Sequence, residues 1–492
     1  MKGQNLPIPA KKVLMEYSIF SVRDKEVFMK KFFVLSSWSR IAAIGSIFMV
    51  AFLAACGDDD ESWTLSARSN DEPSAESSSS VGMQAKSSMS KVLPPCNGGS
   101  NDSCEYETLI DERDGRSYKI VKIGGQWWMA ENLLFVTDSN SFCDDDREEN
   151  CLEYGRRYTW EAAMDACPAG WHLPLYSEWQ ALIDTVGGRY VAGTMLKSFG
   201  GGGGRYGFSG TRQGDKSGAV YWSFTESDYN RAFKVQIAAY SEEAFVGDLF
   251  KEFTIPVRCI QGELKKPYRY RERCIECASE NKQEFLASFS NLTVEKESLT
   301  DDRDGQSYKI VKIGDQWWMA ENLRYNASDS QKKDVRGNFY SWGEAMDSVG
   351  RYSENGKNCG DGKLCLPNYP VQGICPKGWH LPSVADYEIL FMSVGGQSVA
   401  GLLLKANADW PNSIPNNPSW GFDGNGADVY GFSAYPGGVY SKYYDRNVGY
   451  LLTSTENSYG DAIIVKFRWN YDYVGFEETT KSASFYLRCV RN

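Results

Sequence analysis

The sequence predicts an α+β chain made of two tandem copies of one domain, each with two helices, short antiparallel sheets and long Gly- and aromatic-rich loops. Three observations carry this reading. RDGRSYKIVKIGGQWWMAENL at 113–133 returns as RDGQSYKIVKIGDQWWMAENL at 303–323, differing only at Arg116/Gln306 and Gly125/Asp315. A repeat this close means two copies of one folding unit. Helix-forming runs follow the block in both copies. Aromatics make up 14% of the 492 residues and glycines number 47, which suits short strands and many turns better than a helical bundle.

Taken in order, the chain opens with export chemistry. In residues 29–56, Lys30, Lys31 and Arg40 precede an apolar run from Ile41 to Phe52 that closes on Leu53-Ala54-Ala55-Cys56. The run is shorter than the roughly 20 residues a spanning helix needs. It resembles a bacterial lipobox, which implies diacylation of Cys56 and removal of what precedes it. Met1–Phe28 carries no export logic, so Met29 is the expected start. Asp58–Glu61 is similar to the surface-export signals of Bacteroidetes lipoproteins, and it also reads as a plain acidic tether. The expected location is the outer membrane, lipid-anchored and facing the cell surface.

Residues 57–104 are Ser-rich and polar, a spacer that cannot bury enough apolar area to order itself. The first domain then spans 105–260, a linker 261–297, and the second domain 298–492. A net charge of -11 argues against nucleic acid. Two histidines in the whole chain argue against a multi-histidine metal site. No cofactor is implied. Setting Cys56 apart from the thirteen cysteines leaves twelve, and in an exported chain these read as disulfides.

In each copy Asp114-Gly115 or Asp304-Gly305 makes a hairpin turn, Ser117–Ile123 alternates as a strand, and an aromatic strand follows the next turn. Of the paired tryptophans, one reads as core and the other as cover for the core edge, with a ligand platform as the alternative. The loop at 141–151 closes with a Cys143–Cys151 pair, and its acids read as solvated charge rather than a calcium loop. Tyr158–Met164 and Tyr176–Ile183 are helical, repeated at 339–346 and within 375–391. Ser383 with Asp386 makes a capping box, whereas Leu175 leaves the first copy's helix without a cap. Gly200–Gly204 lacks the Lys-Ser/Thr of a phosphate loop. YWSFTES (221–227) and YLLTSTEN (450–457) are matching late strands.

Cys167 and Cys259 stand at places equivalent to Cys375 and Cys489, so each pair is expected to tie the inter-helix segment to the final strand. Cys359 and Cys365 belong to the same expected disulfide set. Cys96, Cys104, Cys274 and Cys277 are left with more than one possible pairing.

DGxSYKIVKIGxQWWMAENL, Y-x-W-x-x-A-M, CPxGWHLP, YGFSAYPGG, a late Ser-Thr-Glu and a closing Arg-Cys-Val resemble the Fibrobacter succinogenes major paralogous domain over 105–260 and 298–491. The first copy departs from it at Leu175 and at GFSGTRQGD (207–215). More remotely, the aromatic-Glu-Ala helix and the Leu-Pro-cap pattern resemble the C-type-lectin-like and formylglycine-generating-enzyme superfamily. That resemblance implies two helices flanking short antiparallel sheets, with a disulfide from the second-helix region to the last strand.

Chemistry is thin. His172 and His380 lie in GWHLP without an evident partner carboxylate or nucleophile. Glu131 and Glu321 read as acceptors for backbone amides at a strand end. Calcium-dependent sugar-binding triplets are absent from the sequence, and Cys259 and Cys489 look committed to disulfides rather than oxygen chemistry. No catalytic or metal residue is expected. Three functions stay open: a tethered binding or adhesion module for polysaccharide or a cell-surface protein, a structural envelope protein, and an enzyme of the formylglycine-generating type. For the first, Trp127, Trp317, Tyr430, Tyr435 and Tyr440 are the candidate ligand-binding residues.

Overall fold

A computed structural model describes residues 92–98, 102–199, 204–211, 218–264, 277–327, 332–365, 367–411, 424–437 and 447–492. Cys56, the export segment, most of the Ser-rich spacer, Gly200–Gly203, Cys274 and Tyr440 lie outside the described residues.

The repeated block folds as a meander in both copies. Tyr106–Ile110 pairs with Ser117–Ile123, which pairs with Gln126–Met129. Lys296–Thr300, Ser307–Ile313 and Gln316–Met319 do the same in the second repeat. Gly115 and Gly305 take φ of 74° and 72° at the first turn, which only glycine adopts without cost. The end of each repeat then returns beside its beginning. Ile260 pairs with both Trp128 and His172, and Val490 with both Trp318 and His380. The last strand therefore sits between the opening block and the GWHLP segment in a five-stranded sheet.

A second, three-stranded antiparallel sheet follows in each repeat. It consists of Gly218–Asp228, Arg231–Ala238 and Ala244–Phe250 in the first, and of Val448–Glu456, Asp461–Arg468 and Val474–Thr480 in the second.

Among the described residues there are eight helices: α1 Glu148–Tyr154, α2 Trp160–Ala163, α3 Tyr176–Thr185, α4 Arg189–Leu196, α5 Cys277–Ala287, α6 Trp342–Ala345, α7 Val384–Ser393 and α8 Gln397–Leu404. Mixed helices and small antiparallel sheets make the chain α+β. The expectation of two helices per copy is corrected, because α4 and α8 are additional, as is α1 in the first copy. Gly187-Gly188 and Gly395-Gly396 end one helix and turn straight into the next. Packing supplies what propensity does not. A Cβ on Gly193 would lie 2.3 Å from the Glu243 carbonyl oxygen, and one on Gly401 would lie 2.7 Å from that of Asp472. Glycine lets each of these helices seat against a strand connection.

The linker is partly structured, since Phe285, Leu286 and Phe289 at and beyond the end of α5 pack on the core. Five disulfides staple the described residues: Cys96–Cys104, Cys143–Cys151, Cys167–Cys259, Cys359–Cys365 and Cys375–Cys489. The pairing of Cys274 and Cys277 falls outside them.

The two repeats share one core within one compact unit. Tyr176 meets Phe233 at 4.8 Å between ring centres, Phe233 meets Phe476 at 6.3 Å, and Phe476 meets Phe391 at 5.7 Å. This aromatic chain crosses from one repeat to the other.

The closing Arg-Cys motif has a structural duty in both copies. Arg258 and Arg488 are fully buried. Arg488 donates to the carbonyls of Phe432 and Ser433 and, at 2.8 Å, to Asn322. Arg258 makes the matching bonds to Phe208, Ser209 and Asn132. The guanidinium thereby ties the Gly-Phe-Ser loop to the opening block.

Candidate functional site

The interface between the repeats is reciprocal, which gives it an approximate two-fold character. Gln397, the first residue of α8, brackets the Glu226 backbone with two bonds of 2.9 Å. Arg189, the first residue of α4, donates to the Asn457 carbonyl at 2.7 Å. Tyr176 N–H donates to Thr225 Oγ1 and Val384 N–H to Thr455 Oγ1, both at 2.9 Å. The two ends of the interface should therefore look alike. They do not.

At one end the space is closed. Glu388 of α7 reaches across and accepts from the N–H groups of Tyr176 and Ser177 at 3.1 and 3.4 Å, and from the Thr225 hydroxyl. This corrects the expectation that α3 is uncapped. Its own Glu178 accepts the Leu175 N–H at 2.9 Å, and the rest of the cap comes from the other repeat. A carboxylate suits a helix N-terminus, where free N–H groups and the dipole both favour it. With Phe224, Met392 and Met164 alongside, only about 20 Å³ remains.

At the other end the equivalent positions leave a cleft of about 800 Å³. Gln180 stands where Glu388 stands in α7, but it turns along its own helix and donates to Asp184 at 2.9 Å. Asp184 replaces Met392, and Ser454 replaces Phe224. The opposite wall is Leu364, Pro367, Asn368 and Tyr369 of the second repeat. The Cys359–Cys365 bond closes its base, and the Tyr369 hydroxyl donates to the Ser454 carbonyl at 3.2 Å. Cys365 N–H donates to both carboxylate oxygens of Glu456, at 3.1 and 2.9 Å, and buried Lys481 pairs with that carboxylate. Val92 and Leu93 form the rim. Leu93 N–H donates to the Thr185 carbonyl at 3.0 Å, and its own carbonyl accepts from Tyr206.

The cleft is within the size range of small-ligand sites, and its lining is mixed. Tyr190, Tyr369 and Tyr459 lie in or beside it, with Tyr190 and Tyr459 5.2 Å apart between ring centres. Gln180, Asn368 and Asn457 supply amides, and Asp184 and Glu456 supply carboxylates. Burial pushes the Asp184 carboxyl up to about 6, against the Gln180 hydrogen bond and with the Glu456 charge adding to the rise.

The candidate residues from the sequence lie elsewhere. Trp127 and Trp317 are half-buried at sheet faces, under Lys122 at 5.5 Å and Arg491 at 4.8 Å, while their neighbours Trp128 and Trp318 are fully buried. Tyr430 packs on Phe289 at 6.2 Å between ring centres and Tyr435 under Arg336 at 5.5 Å. None of these four lines the cleft. Glu131 and Glu321 accept the N–H groups of Lys119 and Lys309 at 2.7 and 2.8 Å.

The histidines do have partner acids, which corrects the reading that none stands at a fixed spacing. His172 Nε2 lies 3.0 Å from Glu178, and His380 Nε2 lies 3.4 Å from Asp386. The spacing is six residues in both copies; in the sequence only Asp386 is read, as part of a cap. Burial opposes the charged form of His172, and the Glu178 carboxylate outweighs it, so the imidazole is raised. Both rings are also held on the other side, His172 by the Gly262 carbonyl at 3.0 Å and His380 by Asn492 at 2.7 Å. No nucleophile joins either pair among these contacts. In the acidic loop, Cys143 and Cys151 are spent in their disulfide, so they cannot join Glu148 as metal-binding thiolates.

The buried Glu388 makes a pH prediction. Burial lifts it from 4.5 to about 7, opposed by the donors from Ser177 and Thr225. Between those values the folded chain keeps a proton that the unfolded chain has released. Stability from this group is present below about pH 4.5, falls as pH rises, and is lost above about 7. Relative to Glu388→Gln, the wild type is expected to lose about 2–4 kcal/mol between pH 4.5 and 8. Guanidinium unfolding of both chains across that range checks it, and a pH-independent difference would refute it.

A family model described as the Fibrobacter succinogenes major domain matches residues 121–261 and 311–491. The chain belongs to this family. It carries the domain twice. No curated protein and no solved structure matches the chain. Within the family chain described here, the strongly repeated motifs build the sheets and their staples, whereas the cleft arises where the copies differ.

Proposed function

We propose that this protein is a lipid-anchored envelope protein that binds polysaccharide, without catalysis, in the cleft between its two repeats. The observation that supports it most is the asymmetry of the interface. An approximately two-fold contact is sealed at one end by Glu388 and left open at the other, where Gln180 and Asp184 line the cleft. Tyrosine faces beside amides and carboxylates suit the apolar faces and hydroxyl edges of sugar rings. Both late cysteines are engaged in disulfides, which weighs against a formylglycine-generating type of thiol chemistry. The Lys-rich start, apolar run and Cys56 support lipidation and an outer-membrane site facing outward. The C-type-lectin-like kinship is supported by the helix pairs and by the disulfide that ties the GWHLP approach to the last strand.

The test is retention of the full chain, solubilised in mild detergent, on insoluble cellulose, xylan and chitin. Retention on one polymer is expected, falling at least tenfold in Tyr369→Ala and Tyr190→Ala. Passage over every polymer would sink this reading and shift weight to a purely structural envelope role.

A further inference from the structure

We infer that the cleft selects glycans bearing a free amine, with the ammonium group of the sugar seated on the Asp184 carboxylate. This rests on the polysaccharide reading above and narrows it to a chemical class.

The argument is one of charge. Four charged side chains stand at or behind the cleft: Asp184 on α3, Arg189 on α4, Glu456 at the end of its strand, and Lys481 beyond it. Two of them neutralise each other. Glu456 is neutralised by Lys481, which also donates to the carbonyls of Lys363 and Tyr459 at 2.8 and 3.1 Å. Arg189 donates to the Asn457 carbonyl through one guanidinium nitrogen and lies 4.9 Å from the centre of the Phe245 ring, but among the described residues no carboxylate pairs with it and its Nε has no hydrogen-bond partner. Asp184 is the acid left without a cation. Among the described residues its only side-chain donor is the neutral amide of Gln180, and no cation pairs with it. A half-buried carboxylate without a counter-charge is destabilising, and an incoming cation of the right shape relieves that cost.

The surroundings favour an amine on a ring over a bare metal ion. The cavity is far larger than an ion, and metal sites converge several oxygen ligands at short range. Here one carboxylate faces the cavity while the second is held by Lys481 and the Cys365 N–H. Tyr190 and Tyr369 line the same cleft, and aromatic rings suit both a sugar ring and an ammonium group. The counterpart of Asp184 in the second repeat is Met392, at the closed end of the interface. The acid therefore occurs only where there is room for a ligand.

Calorimetric titration of the full chain in detergent would use three probes: glucosamine oligosaccharide, its N-acetylated counterpart and a cello-oligosaccharide. At pH 6.5, where the sugar amine is largely ammonium and the carboxyl largely ionised, the free-amine oligomer is expected to bind at least tenfold more tightly than the other two, and Asp184→Asn is expected to abolish that preference. Lowering the pH further to 4.5 protonates the carboxyl, whose value lies near 6, while the amine stays charged, so wild-type affinity for the amine should fall about tenfold. Asp184→Asn should show no such fall, which separates this group from Glu388 and the histidines. Equal binding of amine and N-acetyl forms, unchanged in Asp184→Asn but lost in Tyr369→Ala, would overturn the amine preference and keep the glycan site. No binding of any oligosaccharide by the wild type would overturn both.

Discussion

Replacing Cys375 and Cys489 together with serine is expected to lower the unfolding free energy by about 4–5 kcal/mol, because that bond closes a loop of 114 residues. The staple joins the approach to GWHLP with the last strand, next to Val490, which pairs with Trp318 and His380. Without it the final strand would have to find its place between two segments far away in the chain. The first-repeat pair spans 92 residues, and loop-closure entropy depends so weakly on length that its loss should differ by only about 0.2 kcal/mol. Guanidinium titrations of the two double variants decide this. A loss below about 1 kcal/mol for either pair would show that its loop is already held in the unfolded chain.

Arg488→Met is expected to cost about 3–5 kcal/mol, since it removes the donor from three buried acceptors at once. Those acceptors are the carbonyls of Phe432 and Ser433 and the Asn322 side chain. Methionine keeps much of the apolar contact with the Phe432 ring, which lies 4.5 Å from the guanidinium, so the loss reports hydrogen bonding more than volume. Burial lowers the Arg488 guanidinium to about 10, so it stays charged at neutral pH and the cost should not vary between pH 6 and 8. Ser433 has φ of 54° and Ser209 of 51°, a conformation that L-residues hold only when their surroundings insist on it. Amide exchange at Phe432–Ala434 should therefore accelerate in Arg488→Met before the rest of the repeat unfolds. A change near the ±0.5 kcal/mol of a surface substitution would refute this role.

Much of the fold was legible because it is local. The Asp-Gly turns, the alternation of Ser117–Ile123 and the capping box of Ser383 with Asp386 each act within a few residues, and the second copy doubles the signal. Cysteine pairing was legible for a different reason, since matched positions in two copies leave few consistent partners. The helices α4 and α8 were missed because two glycines in a row weaken any local helix signal, and only burial against the sheet restores it. The histidine–acid pairs were missed although Glu178 and Asp386 stand six residues on in both copies. The capping role of Asp386 was visible and that of Glu178 was not, nor was the return of the chain that brings each ring beside the cap.

The candidate ligand residues show the limit most clearly. Trp127 and Trp317 were chosen for their chemistry, but aromatic content does not say which face of a strand is wet. The cleft depends on how α3 meets α7 and on which partner Gln180, Glu388 and Asp184 choose there. By itself the sequence determined two copies, their sheets, their turns and their staples, because each follows from spacing along the chain. Only the tertiary structure decided that the copies share one core, that Glu388 seals one end of their contact, and that Asp184 faces an open cleft at the other. Those outcomes depend on packing between segments some two hundred residues apart, where pattern along the chain carries no information about distance in space.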